Sequence, residues 1–403
     1  KKDIGLKTNT SINIVAISAK NINKKRSFKI KRKIFFKRPL DITKNPKVNI
    51  VIELIGKESG ISKKIVENSL KNKKHVITAN KALISKHGDH LSSIAEKNKV
   101  NLEFEAAVGG GIPVLRTLKE GLATNKISKI YGILNGTCNY ILSEMEDTKD
   151  SFQNVLKKAQ KLGYAEPSNP KLDLNGSDAM AKIKILSSLA FNKKISKSKC
   201  LLEGIESIES KDIDIANQLN LRIKLLGITE LINNKLFERV HPCLVQKNTY
   251  ISNVNDVMNA VILEGVPVGE SVLQGEGAGP GPTSSALMSD LLSILRGNIK
   301  FPFGIPSNKR KKPIIYDQNQ NFNSLYLRFE VKDKPGVLSQ ITKQLAKYKI
   351  SIARLIQIPD HKRKRASIII ITHKSKELYS YKCLKAFKSN KNVLKLPTLI
   401  RLF

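Results

Sequence analysis

The sequence has no apolar run long enough to span a membrane, and no secretory-leader pattern opens it. It starts at Lys1 rather than Met, so an upstream portion is expected to be missing. Its four cysteines, Cys138, Cys200, Cys243 and Cys383, form no Cys-x-x-Cys pair. That argues against a zinc site or a disulfide framework and fits a reducing cytosol. Acidic residues are scarce: 34 Asp and Glu face 71 Lys and Arg, for a formal charge of +37. Such a charge can mark a nucleic-acid binder. Here lysine is spread over the whole length and travels with abundant Asn and Ile, the drift of an AT-rich coding sequence. The expectation is no specific nucleic-acid partner, and a positive field that draws in anionic cofactors and substrates. Finally, no G-x-G-x-x-G precedes Gly56, and Gly5 is the only glycine ahead of it.

What is present is a polar stretch leading into an apolar helix. It runs Gly163-Tyr164-Ala165-Glu166-Pro167, then Asp173-Leu174-Asn175-Gly176-Ser177-Asp178-Ala179, then Lys182. Two prolines with Asn and Ser make its first part a loop. A helix is expected to open at Ser177 or Asp178, both good caps, and to run into Ile183, Ile185, Leu186 and Leu189. Asp178 and Lys182 then share a face, one turn apart. Glu166 and Asp173 arrive from the loop, so three carboxylates and one amine can converge. On composition alone, the plainer alternative is a surface helix with an ordinary Asp–Lys pair.

The pattern Gly-Tyr-Ala-Glu-Pro, Asp-Leu-Asn-Gly-x-Asp-Ala, and a Lys three residues after that Ala resembles homoserine dehydrogenase. The loop between Glu166 and Gly176 is one residue longer than the family's spacing, which a loop absorbs locally. The resemblance implies NAD(P)-dependent interconversion of L-homoserine and L-aspartate 4-semialdehyde, on the route to threonine, methionine and isoleucine. It implies Lys182 as proton donor and Glu166, Asp173 and Asp178 as substrate ligands. The string Thr78-Ala79-Asn80-Lys81-Ala82-Leu83 also matches, which implies that Lys81 lies by nicotinamide and substrate. Gly163, Gly277 and Gly279 are the implied cofactor contacts. Carbonyl oxygens of Glu105, Val108, Gly110 and Ile112 are the implied ligands of sodium or a similar cation, with a purely structural turn as the alternative.

In chain order the pattern is α/β. Ile12–Ala19 reads as a buried strand, followed by the basic residues Lys20, Lys24, Lys25 and Arg26. No acid stands there to hold a ribose hydroxyl, which favours NADP over NAD, with plain lysine richness as the alternative. In the resembled family a first strand and a Gly-rich phosphate loop precede this one, so the chain reads as a fragment of a longer product. Val48–Ile55 reads as a central strand with a cofactor-facing turn at Gly56. A helix over 62–71, a strand at His75–Thr78 and a helix over 83–97 complete a truncated Rossmann-type domain, residues 1–126. Residues 127–296 are expected to form the α+β catalytic and dimerisation domain, with 274–296 returning to the nucleotide domain. His241 within it reads as structural. Residues 297–323, rich in Pro, Asn, Lys and Gly, read as a linker.

Residues 324–403 read βαββαβ, a ferredoxin-like module. The turn Asp333-Lys334-Pro335-Gly336-Val337-Leu338 resembles the ACT domain, a small-molecule regulatory unit whose sheets often pair side by side in dimers. That implies a homo-oligomer and an amino-acid effector such as threonine. Two rival readings stay open: a non-catalytic amino-acid-binding regulator of the same fold, favoured by the absent phosphate loop, and a nucleic-acid binder, favoured only by charge.

Overall fold

The computed structural model describes residues 2–403 except Lys24, Ser27, Ser168 and Ile299. Its N-terminal unit is built on a parallel sheet in sequence order: β1 (Ile50–Glu53), β2 (His75–Thr78) and β3 (Leu102–Glu103). The crossovers carry α1 (Ile61–Lys71) and α2 (Lys81–Lys97). α1 turns Ile65, Val66 and Leu70 inward, and α2 turns Leu83, Ile84 and Leu91 inward, at helical spacing. Asn80 caps α2: its Oδ1 accepts from the Leu83 amide at 3.0 Å, which fixes Lys81 as the first helical residue.

The strand expected at Ile12–Ala19 does not form. Only Ile17 makes a bridge, to Phe35, while Ile14 is exposed. Ile12, Val15 and Ala16 pack as separate side chains onto two clusters. An apolar run becomes a strand only where a neighbour offers a ladder, and β1 pairs with β2 alone.

The larger unit holds β4 (Lys126–Ile133), α3 (Gly136–Thr148), α4 (Phe152–Lys161), α5 (Ser177–Ala190), α6 (Ser210–Gln218), β5 (Leu221–Ile232), β6 (Lys235–Gln246), β7 (Met258–Val266), β8 (Gly269–Glu276) and α7 (Pro280–Leu295). Strand β8 takes in Gln274 to Glu276, the start of the segment expected to return to the nucleotide domain. The C-terminal module comprises β9 (Leu325–Lys332), α8 (Val337–Lys347), β10 (Ile352–Asp360), β11 (Arg365–Thr372), α9 (Glu377–Ala386) and β12 (Thr398–Leu402). The module's sheet does not end at its own edge. β12 pairs in parallel with β6, Arg401 opposite Cys243 and Leu402 opposite Leu244. One ten-stranded sheet results, in the order β10-β11-β9-β12-β6-β5-β4-β7-β8, with Leu201–Leu202 beside β6. Buried ion pairs reinforce the junction: Arg328 with Asp212 of α6 at 2.6 Å, and Arg401 with Glu203 at 2.6 Å.

α5 lies between this sheet and α2. Met180, Ile183, Ile185, Leu186 and Leu189 are all buried, and so are the polar Asp178, Lys182, Ser187 and Ser188, each with a partner. Its N-terminal cap is Gly176, at φ 82°, and not Ser177 or Asp178 as the capping rule suggested. α5 sits close on the sheet because β5 offers Gly227 beneath it. A Cβ at Gly227 would lie 2.6 Å from Ile183 Cγ1. Gly227→Ala is therefore expected to lower stability by about 1–3 kcal/mol through overpacking, read as a lower midpoint in urea unfolding. An unchanged midpoint would show that α5 can rise without cost.

Candidate active site

Asp178 is the centre of the site. From the first turn of α5 its Oδ2 pairs with Lys182 Nζ at 2.9 Å, one turn along the same helix. Its Oδ1 pairs at 2.6 Å with Lys81 Nζ, which arrives from the start of α2. Two domains thus meet at one carboxylate. The Lys81 side chain is 43% exposed and that of Lys182 only 8%. Lys81 therefore stands at the mouth and Lys182 at the floor. Lys182 Nζ also donates to the Leu134 carbonyl at 2.5 Å, at the end of β4.

Asn135, next in the chain, connects the remaining parts. Its Oδ1 caps α3 by accepting from the Cys138 amide at 2.8 Å, and its Nδ2 donates to Asp173 Oδ1 at 2.9 Å and to Asp178 Oδ2 at 3.1 Å. Asn135 is a site residue that the sequence patterns above do not single out. The signal for its larger role was an Asn at a helix start beside a strand end, but its carboxylate partners are tertiary.

The electrostatics follow from burial. Desolvation lowers Lys182 below the ordinary lysine value; Asp178 opposes that shift and Lys81 adds to it. Burial alone would raise the Asp178 carboxyl, but the Lys182 and Lys81 ammoniums outweigh it and hold it well below the usual carboxylate range. Asp173 moves the other way, raised by burial despite the hydrogen bond from Asn135. The floor thus holds a firmly ionised carboxylate beside an amine that loses its proton more readily than a surface lysine.

Glu166 is not brought into this cluster. It is exposed, and its carboxylate has no partner among the described residues. Its carbonyl accepts from Gln160 Nε2 at 3.4 Å, and the loop is tied down through Thr137 Oγ1, which donates to the Tyr164 carbonyl at 2.5 Å. His241 is 1% exposed in β6, with Nδ1 2.9 Å from the Pro242 carbonyl, away from these groups.

At the carboxyl end of the parallel sheet, Glu53 is the organiser that the sequence did not reveal. Its Oε1 accepts from the amides of Ile55 at 2.8 Å and Gly56 at 3.3 Å; its Oε2 accepts from Thr78 Oγ1 at 2.8 Å and Asn80 Nδ2 at 3.3 Å. This holds the Gly56 turn beside the start of α2. Gly56 and Gly163 have positive φ, and a Cβ on either would meet nothing within 4 Å. Leu54 and Ile55 beside Gly56 are exposed, and Gly163, also exposed, follows the end of α4. Gly277 has another reason to be glycine. A Cβ there would sit 2.0 Å from Asn259 Nδ2, and one on Gly110 would sit 2.4 Å from the Gly277 carbonyl oxygen. Gly279 immediately precedes α7.

The turn from Glu105 to Ile112 is the implied cation site. The Glu105 carboxylate is committed elsewhere, accepting from the amides of Leu115 and Arg116 at 2.8 Å each. The Val108 and Gly110 carbonyls accept no hydrogen bond from the described residues. Three buried carboxylates, Glu103, Glu105 and Asp290, face two cations, Lys119 and Arg116, and burial followed by Glu103 pushes Asp290 up to about 7. The Glu105 and Ile112 carbonyls accept from the amides of Val108 at 3.2 Å and Val114 at 2.8 Å, so two of the four implied oxygens are unpaired among the described residues, and oxygen ligands are what a hard cation takes. No group of three or more His, Cys, Asp or Glu among the described residues is arranged to hold a metal ion.

A parallel sheet whose carboxyl edge meets a buried amine–carboxylate pair is an arrangement in which a ligand at the strand ends faces a group able to move a proton. The homoserine dehydrogenase family model matches residues 113–292, that of the homoserine dehydrogenase NAD-binding domain residues 4–105, and that of the ACT domain residues 325–377. A homoserine dehydrogenase of Neisseria gonorrhoeae is 40% identical over 378 residues, 91% of this chain and 86% of that one. One of Bacillus subtilis is 35% identical over 374 residues, 91% and 84% of the two chains. The crystal structure of a homoserine dehydrogenase from Thiobacillus denitrificans superposes with a TM-score of 0.90 at 35% identity, covering 100% of this chain and 93% of that one. The chain belongs to the homoserine dehydrogenase family, oxidoreductases acting on a CH–OH group, and ends in an ACT domain. Among the described residues no helix is long and apolar enough to cross a membrane.

Proposed function

We propose that the chain interconverts L-homoserine and L-aspartate 4-semialdehyde at the Asp178 cluster, with Lys182 as the proton donor and acceptor. The observation that carries this is the meeting of Lys81, Asp178 and Lys182 at one carboxylate. When bound, nicotinamide supplies or accepts the hydride at its C4. As the aldehyde carbon is reduced, its oxygen gains charge and needs a proton and a positive neighbour. Lys182 gives the proton. Lys81, at the mouth, stabilises the developing oxyanion and places the ring. Asp178 holds both amines in line, and Asp173, fixed through Asn135, contacts substrate. Glu166, free on its loop, closes over the substrate's ammonium and hydroxyl. In the oxidative direction the neutral Lys182 amine takes the hydroxyl proton.

The cofactor would rest against the Gly56 turn, with Gly163, Gly277 and Gly279 as its further contacts. NADP is the favoured form: Lys20 and Lys25 are exposed, and Arg26 donates to the Ile22 carbonyl at 2.9 Å. Lys24, counted with them in sequence, lies outside the described residues. Sodium or a similar ion would brace the turn through carbonyls of Glu105, Val108, Gly110 and Ile112, taking no part in the chemistry. The ACT domain would bind an amino-acid effector such as threonine, in a cytoplasmic homo-oligomer. The test is reduction of NADP, and separately of NAD, by the protein with L-homoserine. Homoserine-dependent reduction, faster with NADP, is expected. Nucleotide binding without reduction would favour the non-catalytic regulator instead.

A further inference from the structure

We infer that Arg310 is a positioning residue that clamps α2 to α5 and thereby sets Lys81 against the Asp178–Lys182 pair. The inference rests on the site reading above. The segment 297–323 reads as a linker in sequence, yet it contains the buried Phe303 and Arg310, the latter 2% exposed. Arg310 Nη2 lies 2.8 Å from Asp89 Oδ1 on α2, and its Nη1 donates to Ser188 Oγ on α5 at 2.9 Å. Its guanidinium also lies 4.2 Å from the centre of the Phe303 ring. The other Asp89 oxygen accepts from the Ile195 amide at 3.1 Å, and the Lys194 amide donates to the Lys311 carbonyl at 2.9 Å. Farther along α2, Glu96 accepts from the Ser307 amide at 2.9 Å and from its hydroxyl at 2.7 Å. α2 also comes close through Gly88, where a Cβ would lie 2.9 Å from both Phe303 and Ile195.

The geometry gives the clamp a catalytic consequence. Asp89 lies about 12 Å along α2 from Lys81, and Ser188 about 9 Å along α5 from Lys182, at 1.5 Å per residue. Helices of this length move as rods, so fixing them at the clamp fixes their spacing at the site. At the site end, the polar tie between them is the Lys81–Asp178 pair. That pair is half open to solvent and is the one a substrate oxygen would compete for. A buried arginine ion-paired with Asp89 on α2 and hydrogen-bonded to Ser188 on α5 does not face that competition.

The test is a cycle of Arg310→Met, Lys81→Met and the double variant, with Arg310→Lys as the conservative control. Folding is checked by circular dichroism. Arg310→Met is expected to cut kcat at least about tenfold, since a 1 Å misplacement can cost about a hundredfold. Arg310→Lys should recover most of it. In the Lys81→Met background the further loss should be under about twofold, because the clamp acts through Lys81. If Arg310→Met does not fold, Asp89→Asn, which keeps the shape, serves in its place with the same non-additivity. A lower melting point with unchanged kcat, or losses that multiply in the double variant, would overturn the clamp. Lys182→Met is assayed in parallel. Its turnover lost while Arg310→Met keeps full kcat overturns the clamp alone; its turnover retained overturns the site reading and the clamp with it.

Discussion

Lys182→Met is expected to cut homoserine turnover by about 10²–10⁴-fold, the usual span for losing a positioned acid–base group, while nucleotide binding stays intact. Met keeps the length and apolar stem that α5 buries, so the cavity is filled. What goes is the amine bonded to Asp178 and to the Leu134 carbonyl. Cys138 is raised well above the ordinary thiol range, by burial and then by Asp173 and Asp178. Asp178 is held ionised between two ammoniums, and Lys81 stands at the mouth. The check is steady-state kinetics beside nucleotide fluorescence titration. A loss of less than tenfold with normal binding would remove Lys182 from the proton step.

Asp178→Asn is expected to be nearly as damaging, in stability as well as rate. Asp178 and Lys182 are both buried, and removing one partner of a buried pair costs about 3–5 kcal/mol. The loss should appear as a large drop in the urea midpoint. The sign of the accompanying pH effect is fixed. Burial and Lys81 already push Lys182 down, and Asp178 is the main group raising it. Without that carboxylate the amine deprotonates at still lower pH. The pH limb of homoserine oxidation should move to lower pH in Asp178→Asn, even as its plateau falls. A limb moving to higher pH would mean that Asp178 does not stabilise the protonated amine.

Much of this site was legible in the sequence because it is local. The four-residue spacing of Asp178 and Lys182 places them on one helical face whatever the tertiary fold. β2 could be read from a short apolar run and α2 from the pattern after it, although α2 opens at Lys81, two residues before the expected start. What depends on distant partners was not legible. Nothing near Lys81 says that its amine ends 2.6 Å from Asp178. Asn135 caps α3, and its other bonds go to Asp173 and Asp178 across the fold, partners that no local pattern marks. Glu53 reads as an ordinary strand residue, and only the fold shows it bonded to two amides and two side chains. Ile12–Ala19 has strand composition without a strand partner. Residues 297–323 have linker composition, but Arg310 among them finds Asp89 and Ser188, and a buried guanidinium with partners outweighs local propensity. The module's own βαββαβ pattern was plain, whereas the pairing of β12 with β6 required the last strand to reach an edge that no local pattern marks.

The most direct measurement is the pH profile of homoserine oxidation, with homoserine deuterated at the oxidised carbon to confirm that the chemical step limits the rate. The rate should rise with pH to a plateau, with its midpoint below the ordinary lysine value, because the neutral Lys182 amine is the base and burial favours that form. The limb should vanish in Lys182→Met. A flat profile under a full isotope effect, or the same limb in Lys182→Met, would contradict a lysine-based proton transfer at this site.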